Sequence, residues 1–287
     1  MPEDIRKASA EDYWSQFATK WTSLLTYRYL GRQNRVLDAG VVGADRSDFQ
    51  TMRLRHDMRN ASGGIMAAPL CIASPEAGGM QDDNFVPNPV IASMQILDDA
   101  RDVREIRTRQ ETIHLGRRMG FSRTEILDAD RPDRVIALST GMGVSLGGTP
   151  PGFEPVDNPS LDVEDSPSLP PLHVVFGATR RPDGAWTLPE LTDEMASPDA
   201  ALHLGPIHIV LETAAMELAA ERAGSDALQI EDWHVMFVAR GKAGPFRVGG
   251  TAFEGTGSRI GCRLSLHDEG NGDRIVSTAS AVFRRAG

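Results

Sequence analysis

Residues 203–212 read HLGPIHIVLE, and the run continues as TAAMELAAERAG to residue 224. Apolar side chains fall on almost every face at helical spacing, the pattern of a helix enclosed in a core. Yet the stretch carries His203, His208 and Glu212. A carboxylate is rarely taken out of water without a partner. Ile207, Val210, Leu211, Ala214 and Ala215 surround Glu212 in helical register, so burial is expected there. Burial raises a carboxyl pKa toward the range useful for a general base. Glu217 and Glu221, nearer the helix end, are expected in solvent.

Working outward, the chain repeats itself. SGGIMAAPLC at 62–71 lies 141 residues before HLGPIHIVLE. RRMGF at 117–121 corresponds to SRIGC at 258–262 with the same offset, and DRVIALSTGMG at 133–143 to DRIVSTASAVF at 273–283 with an offset of 140. Three blocks in one order at a near-constant offset indicate two copies of one unit. Each copy reads as an extended segment (TMRLRHDM; GAWTLPELT), a loop, an apolar helix and then a run of strands. The strands are VIASMQILDD, VREIRTRQETIHLG, GFSRTEILDAD and DRVIALSTGMGVSL in the first half. LQIEDWHVMFVAR, PFRVGGTAFEGTG, RIGCRLSLHD and DRIVSTASAVFRR follow in the second. One buried helix followed by antiparallel strands is an α+β layout, with the sheet wrapped on the helix.

Residues 147–172, GGTPPGFEPVDNPSLDVEDSPSLPPL, are too rich in Pro, Ser and acid to pair in a sheet and read as a surface linker. The expected division is therefore 1–146, the linker 147–172, and 173–287. The first part carries an extra amphipathic helix, AEDYWSQFATKWTSLLTYRYLG, ending at Gly31. Pro69 falls inside GGIMAAPLCIASP and is expected to kink that helix.

Composition narrows the function. Of 287 residues, 30 are Lys or Arg and 40 are Asp or Glu, for a net charge of −10. Nucleic acid as the main partner is disfavoured, because phosphate binding needs a concentrated basic face. No apolar run reaches the roughly 18 residues of a membrane helix, and MPEDIRKASAEDYW lacks the apolar core of a secretory signal. No membrane partner and a cytoplasmic location are expected. Cys71 and Cys262 have no metal-ligand spacing, and free thiols in a reducing compartment are the simplest reading. No metal is expected.

The order of elements, with a glycine pair before the helix, resembles the hotdog fold, and the closest resemblance is to acyl-CoA thioesterases of the phenylacetate-pathway and 4-hydroxybenzoyl-CoA type. That family carries His-Gly-Gly at the start of its central helix and an acid nine positions after the His. Here His203 is followed nine residues on by Glu212, but the stretch keeps only one of the glycines, Gly205, one position late and followed by Pro206. Ser62-Gly63-Gly64 is followed nine residues on by Cys71. The resemblance implies two tandem hotdog domains and a site between paired units, one lending its helix start and the other its acid. One junction would join Gly63 and Gly64 to Glu212. The other would join Gly205 to Cys71, which offers no carboxylate.

On this resemblance Ser62 caps the helix, and the Gly63 and Gly64 amides form an oxyanion site, since free N–H groups at a helix start suit a developing negative charge. Glu212 activates water or attacks the thioester itself. His56, with Asn60 as a substitute, holds the carbonyl or water. Arg117 and Arg118 resemble a basic pair beside the pantetheine tunnel; Arg240, Lys242, Arg284 and Arg285 offer the same charge. His203 and Gly205 belong to the second junction, with His203 as a helix cap in the alternative. The expected activity is hydrolysis of an acyl-CoA, with no cofactor beyond the coenzyme A of the substrate and a dimer of double hotdogs as the assembly. A hotdog 3-hydroxyacyl dehydratase or enoyl hydratase pairing His56 with Glu212 is an alternative reading. So is a non-catalytic acyl-CoA or lipid-binding protein. The bland readings of the same residues are an ordinary capped helix start, a paired Glu and solvated arginines.

Overall fold

The computed structural model describes residues 15–31, 33–34, 50–74, 87–145, 160–197 and 199–285. The expected leading helix is two helices, α1 (Phe17–Ser23) and α2 (Leu25–Leu30). Fully buried Leu24 takes ψ 114° and redirects the chain between them. Gly31, at φ 71°, ends the pair by donating its N–H to the Tyr27 carbonyl, the left-handed stop that glycine permits. Residues 1–14 lie outside the described residues, as do 147–159 of the expected linker. Its remainder is irregular and pinned down: Leu161 N–H donates to the Arg28 carbonyl and Asp165 accepts from the His56 N–H.

Both halves then follow one plan. The first gives β1 (Gln33–Asn34), β2 (Gln50–Arg53), helix α3 (Ala67–Ala73), β3 (Pro87–Ile96), β4 (Glu105–Leu115), β5 (Met119–Asp128) and β6 (Val135–Ser145). The second gives α4 (Leu172–Val175), β7 (Thr179–Arg180), β8 (Trp186–Leu188), β9 (Ala196–Ser197), β10 (Ala201–Leu202) and helix α5 (Leu204–Ala223). Strands β11 (Leu228–Phe237), β12 (Phe246–Glu254), β13 (Arg259–Asp268) and β14 (Arg274–Arg285) complete it. Alternation does the work: along β13, Ile260, Cys262, Leu264 and Leu266 are buried while the residues between them are more open. Glycine ends α5 as well, Gly224 at φ 66°.

Twelve strands form one antiparallel sheet in the order β1-β2-β4-β5-β6-β3-β11-β14-β13-β12-β8-β7. Read from either end, the order is the same with each strand replaced by its counterpart. The seam is β3 against β11, where Ser93 faces His234 and their side chains bond at 2.5 Å. These two residues are 141 apart, so the pseudo-twofold axis passes between them. Even the irregularities repeat. The β3–β6 register shifts between Pro89 and Ile91, and the β11–β14 register between Ile230 and Asp232, again 141 apart. Shifts at Ile126/Leu127 and Leu266/His267 match at an offset of 140. Bulges are placed features of a strand, and two coincidences of position establish the repeat more firmly than the residue identities do.

Helices α3 and α5 pack against one another, and α5 also packs on β12, β13 and β14. Helix α5 is apolar all round because the sheet covers one side and α3 the other; Ile207, Ile209, Val210, Leu211 and Ala215 are all buried. Among the described residues no helix is long and apolar enough to cross a membrane.

Candidate active site

Glu212 lies in mid-helix α5 and is completely buried. Its carboxylate reaches across to the start of α3, where one oxygen accepts from the Ala67 N–H at 2.7 Å and the other from the Ala68 N–H at 2.6 Å. These are the first two amides of the helix, which have no intrahelical acceptor. A carboxylate there gains two charge-assisted hydrogen bonds and the favourable end of the helix dipole. Burial works the other way and prevails, pushing the carboxyl up to about 7 against the pull of the two amides. The carboxyl is thus held above its ordinary range while sitting dry between the two halves.

The donors are not the ones expected. Helix α3 begins after Met66, not after Ser62. Gly63 donates its N–H to the Asn60 carbonyl, and Gly64 donates to the Asn60 side chain at 3.1 Å. The same Asn60 Oδ1 accepts from the Ser62 N–H and hydroxyl. Asn60 is the organiser of a tight turn, and the glycines serve that turn, with Gly63 at φ 82°. Arg59 braces it by donating to the carbonyls of Gly63, Ala100 and Val103. The turn spends the four residues by which the helix starts depart from the repeat: Met66 and His203, the two N-caps, are 137 apart rather than 141. Counted from the caps, Cys71 matches His208, and the position matching Glu212 is Pro75, outside the described residues.

Pro69 is a second correction. It is the third residue of α3, as Pro206 is the third of α5, where a backbone N–H would have no partner in the helix. No hydrogen bond is lost and no kink results at that point.

The other residues singled out are scattered. His56 is exposed, with its N–H held by Asp165 at 2.7 Å. It forms no pair with Glu212, whose partners are Ala67 and Ala68. Arg117 and Arg118 are exposed at the β4–β5 hairpin end. His203 is the N-cap of α5 and accepts from the Gly205 N–H at 3.5 Å. His208, fully buried, accepts at Nδ1 from the indole N–H of Trp233 at 3.1 Å, which leaves its ring proton on Nε2 when neutral. Cys71 and Cys262 are buried and form no disulfide, and burial raises the Cys262 thiol to about 11. Among the described residues no group of three His, Cys, Asp or Glu side chains could hold a metal ion. Sequence reasoning missed Ala67 and Ala68. Their only signal was that Pro69 follows them, since proline is favoured in the first turn of a helix.

Solved structures share this architecture. A tesB protein from Mycobacterium avium subspecies paratuberculosis superimposes over 98% of this chain and 100% of its own, with a TM-score of 0.58 at 13% identity. The acyl-CoA thioesterase II TesB2 from Mycobacterium marinum matches 85% of this chain and 95% of its own, at a TM-score of 0.55 and 12% identity. This chain has the double hotdog fold. No family model matches the chain, and no curated protein matches it in sequence.

Proposed function

We propose that the protein is an acyl-CoA thioesterase-like hydrolase with one composite site at the Glu212 junction. The observation that carries this reading is the buried carboxylate of one half, with a pKa near 7, held on the helix-start amides of the other. A group that is half ionised at neutrality takes a proton from water and returns it to a leaving thiolate in the same cycle. The Ala67 and Ala68 amides are the donors suited to the tetrahedral oxyanion. Glu212 occupies both at rest, so the thioester oxygen must take one while the carboxylate turns to hold water. The carbon–sulfur bond then breaks, and the acid and the thiol leave. On this reading Arg117 and Arg118 meet the coenzyme A phosphates, and a dimer of the chain is the working assembly. The double hotdog fold shared with thioesterases supports the assignment.

The same observation favours a second reading. A carboxylate that is completely buried and satisfies both amides also serves as a structural tie, in a protein that binds an acyl-CoA without turning it over. Thiol release from a panel of acyl-CoAs of increasing length separates the two readings. Wild-type release that falls 10²- to 10⁴-fold in Glu212→Gln supports the hydrolase. Tight binding with no release by the wild type overturns it in favour of the binding protein.

A further inference from the structure

The two central helices begin against different neighbours. At Ala67 the neighbour is the Glu212 carboxylate. At Leu204 it is the leading helix pair, α1 and α2. Thr26, fully buried on α2, sets its hydroxyl 3.0 Å from Nδ1 of His203, and the Tyr27 ring stands edge-on to the His203 ring at 5.3 Å. The same ring nitrogen accepts from the Gly205 N–H. With Nδ1 accepting there, Thr26 is the donor in its bond to the ring.

The fit at Gly205 is closer than any side chain allows. A Cβ on this residue would lie 2.3 Å from Thr26 Oγ1, 2.5 Å from its Cγ2 and 2.9 Å from its Cβ. Gly205 is thus a seat for Thr26. The family resemblance assigns Gly205 to the second junction; what approaches its backbone is the protein's own helix. Further out, Lys20 pairs with Asp193 at 2.7 Å and Arg28 with Glu194 at 3.4 Å. On the first half, Arg55 donates to the Tyr29 carbonyl and lies over the Tyr29 ring. The pair is clamped to both halves.

We propose that α1 and α2 are a built-in plug of the second junction, seated on Gly205 through Thr26 and His203, so that each chain takes one acyl thioester and takes it at Glu212. The count of one rests on the thioester reading above; the plug itself does not. A ligand carbonyl at the start of α5 would have to displace Thr26 and break the His203 contact.

Gly205→Ala tests this on the full-length chain. Alanine suits a helix better than glycine, so the variant folds unless the seat matters, and the new Cβ must push α2 away. Hydrogen exchange read by mass spectrometry reports on the plug without any ligand. Peptides covering 15–31 and 203–207 are expected to exchange at least 10-fold faster in Gly205→Ala, and to a smaller degree in Thr26→Ala. The peptide covering 65–70 should be unchanged. Equal exchange in both variants and wild type overturns the plug. A non-hydrolysable acyl-CoA thioether, titrated by calorimetry, then counts sites: one per chain in the wild type and two in Gly205→Ala. Two sites in the wild type overturn the proposal, and so does one site in a Gly205→Ala protein whose leading helices have been released. No binding to any form, with exchange responding as stated, overturns the thioester reading and the count while leaving the plug standing.

Discussion

A carboxyl with a pKa of about 7 in the folded chain and 4.5 as its ordinary value makes Glu212 a stability switch as well as a candidate base. Below about pH 4.5 the group is protonated whether the chain is folded or not, and it contributes no pH dependence. Between 4.5 and 7 the unfolded chain has released the proton that the folded chain still holds, so stability falls as pH rises. Above 7 the full penalty is present, about 3 kcal/mol for that gap. Glu212→Gln cannot titrate. Its unfolding free energy should therefore gain on the wild type between pH 5 and pH 8, by up to about 3 kcal/mol. Urea titrations of both proteins at the two pH values check this, and parallel behaviour would mean that the carboxyl is not raised. Burial of Glu212 was legible from the apolar residues around it. Its partners were not, because two alanine amides carry no chemical signature in a sequence, whereas the Gly63-Gly64 pair drew attention to a turn.

The strands were legible at the scale of elements, since alternation and turn residues are local properties. The helix starts were less so. Asn60 decides where the first one begins by collecting the donors of Ser62 and Gly64, and a side chain that gathers local amides leaves no periodic trace. Pro69 misled for a related reason: its effect depends on its position in the helix, and the position depends on that turn. At the third helical residue its removal breaks nothing, so Pro69→Ala should change stability by less than about 1 kcal/mol in either direction. A gain near 3 kcal/mol, the cost of a proline within a helix, would place it in the interior after all. Thermal or chemical denaturation reads either result. The leading helices were readable as an amphipathic segment ending at Gly31, but not their destination. Thr26 and His203 are 177 residues apart, and nothing in either neighbourhood points to the other.

For the molecule as a whole, the repeat fixed the plan, and the seam makes it one body. The pairing of β3 with β11, the packing of α3 on α5 and the leading helices all join the halves. Unfolding followed by tryptophan fluorescence, with Trp233 at the seam, should superimpose on unfolding followed by far-ultraviolet circular dichroism. Two separated transitions would show that the halves hold their structure independently. The same seam has a consequence for solubility. An open sheet edge is a template on which stray strands can add and aggregates can grow. In a single hotdog unit β3 or β11 would be such an edge, each ten residues long. Joined in one chain, each covers the other from the moment both are folded. Among the described residues the outermost strands of the finished sheet, Gln33–Asn34 and Thr179–Arg180, are two residues each, too short to recruit a passing chain. Tethering two copies thus protects their longest exposed strands at any dilution, where two separate units would be protected only while they remained associated.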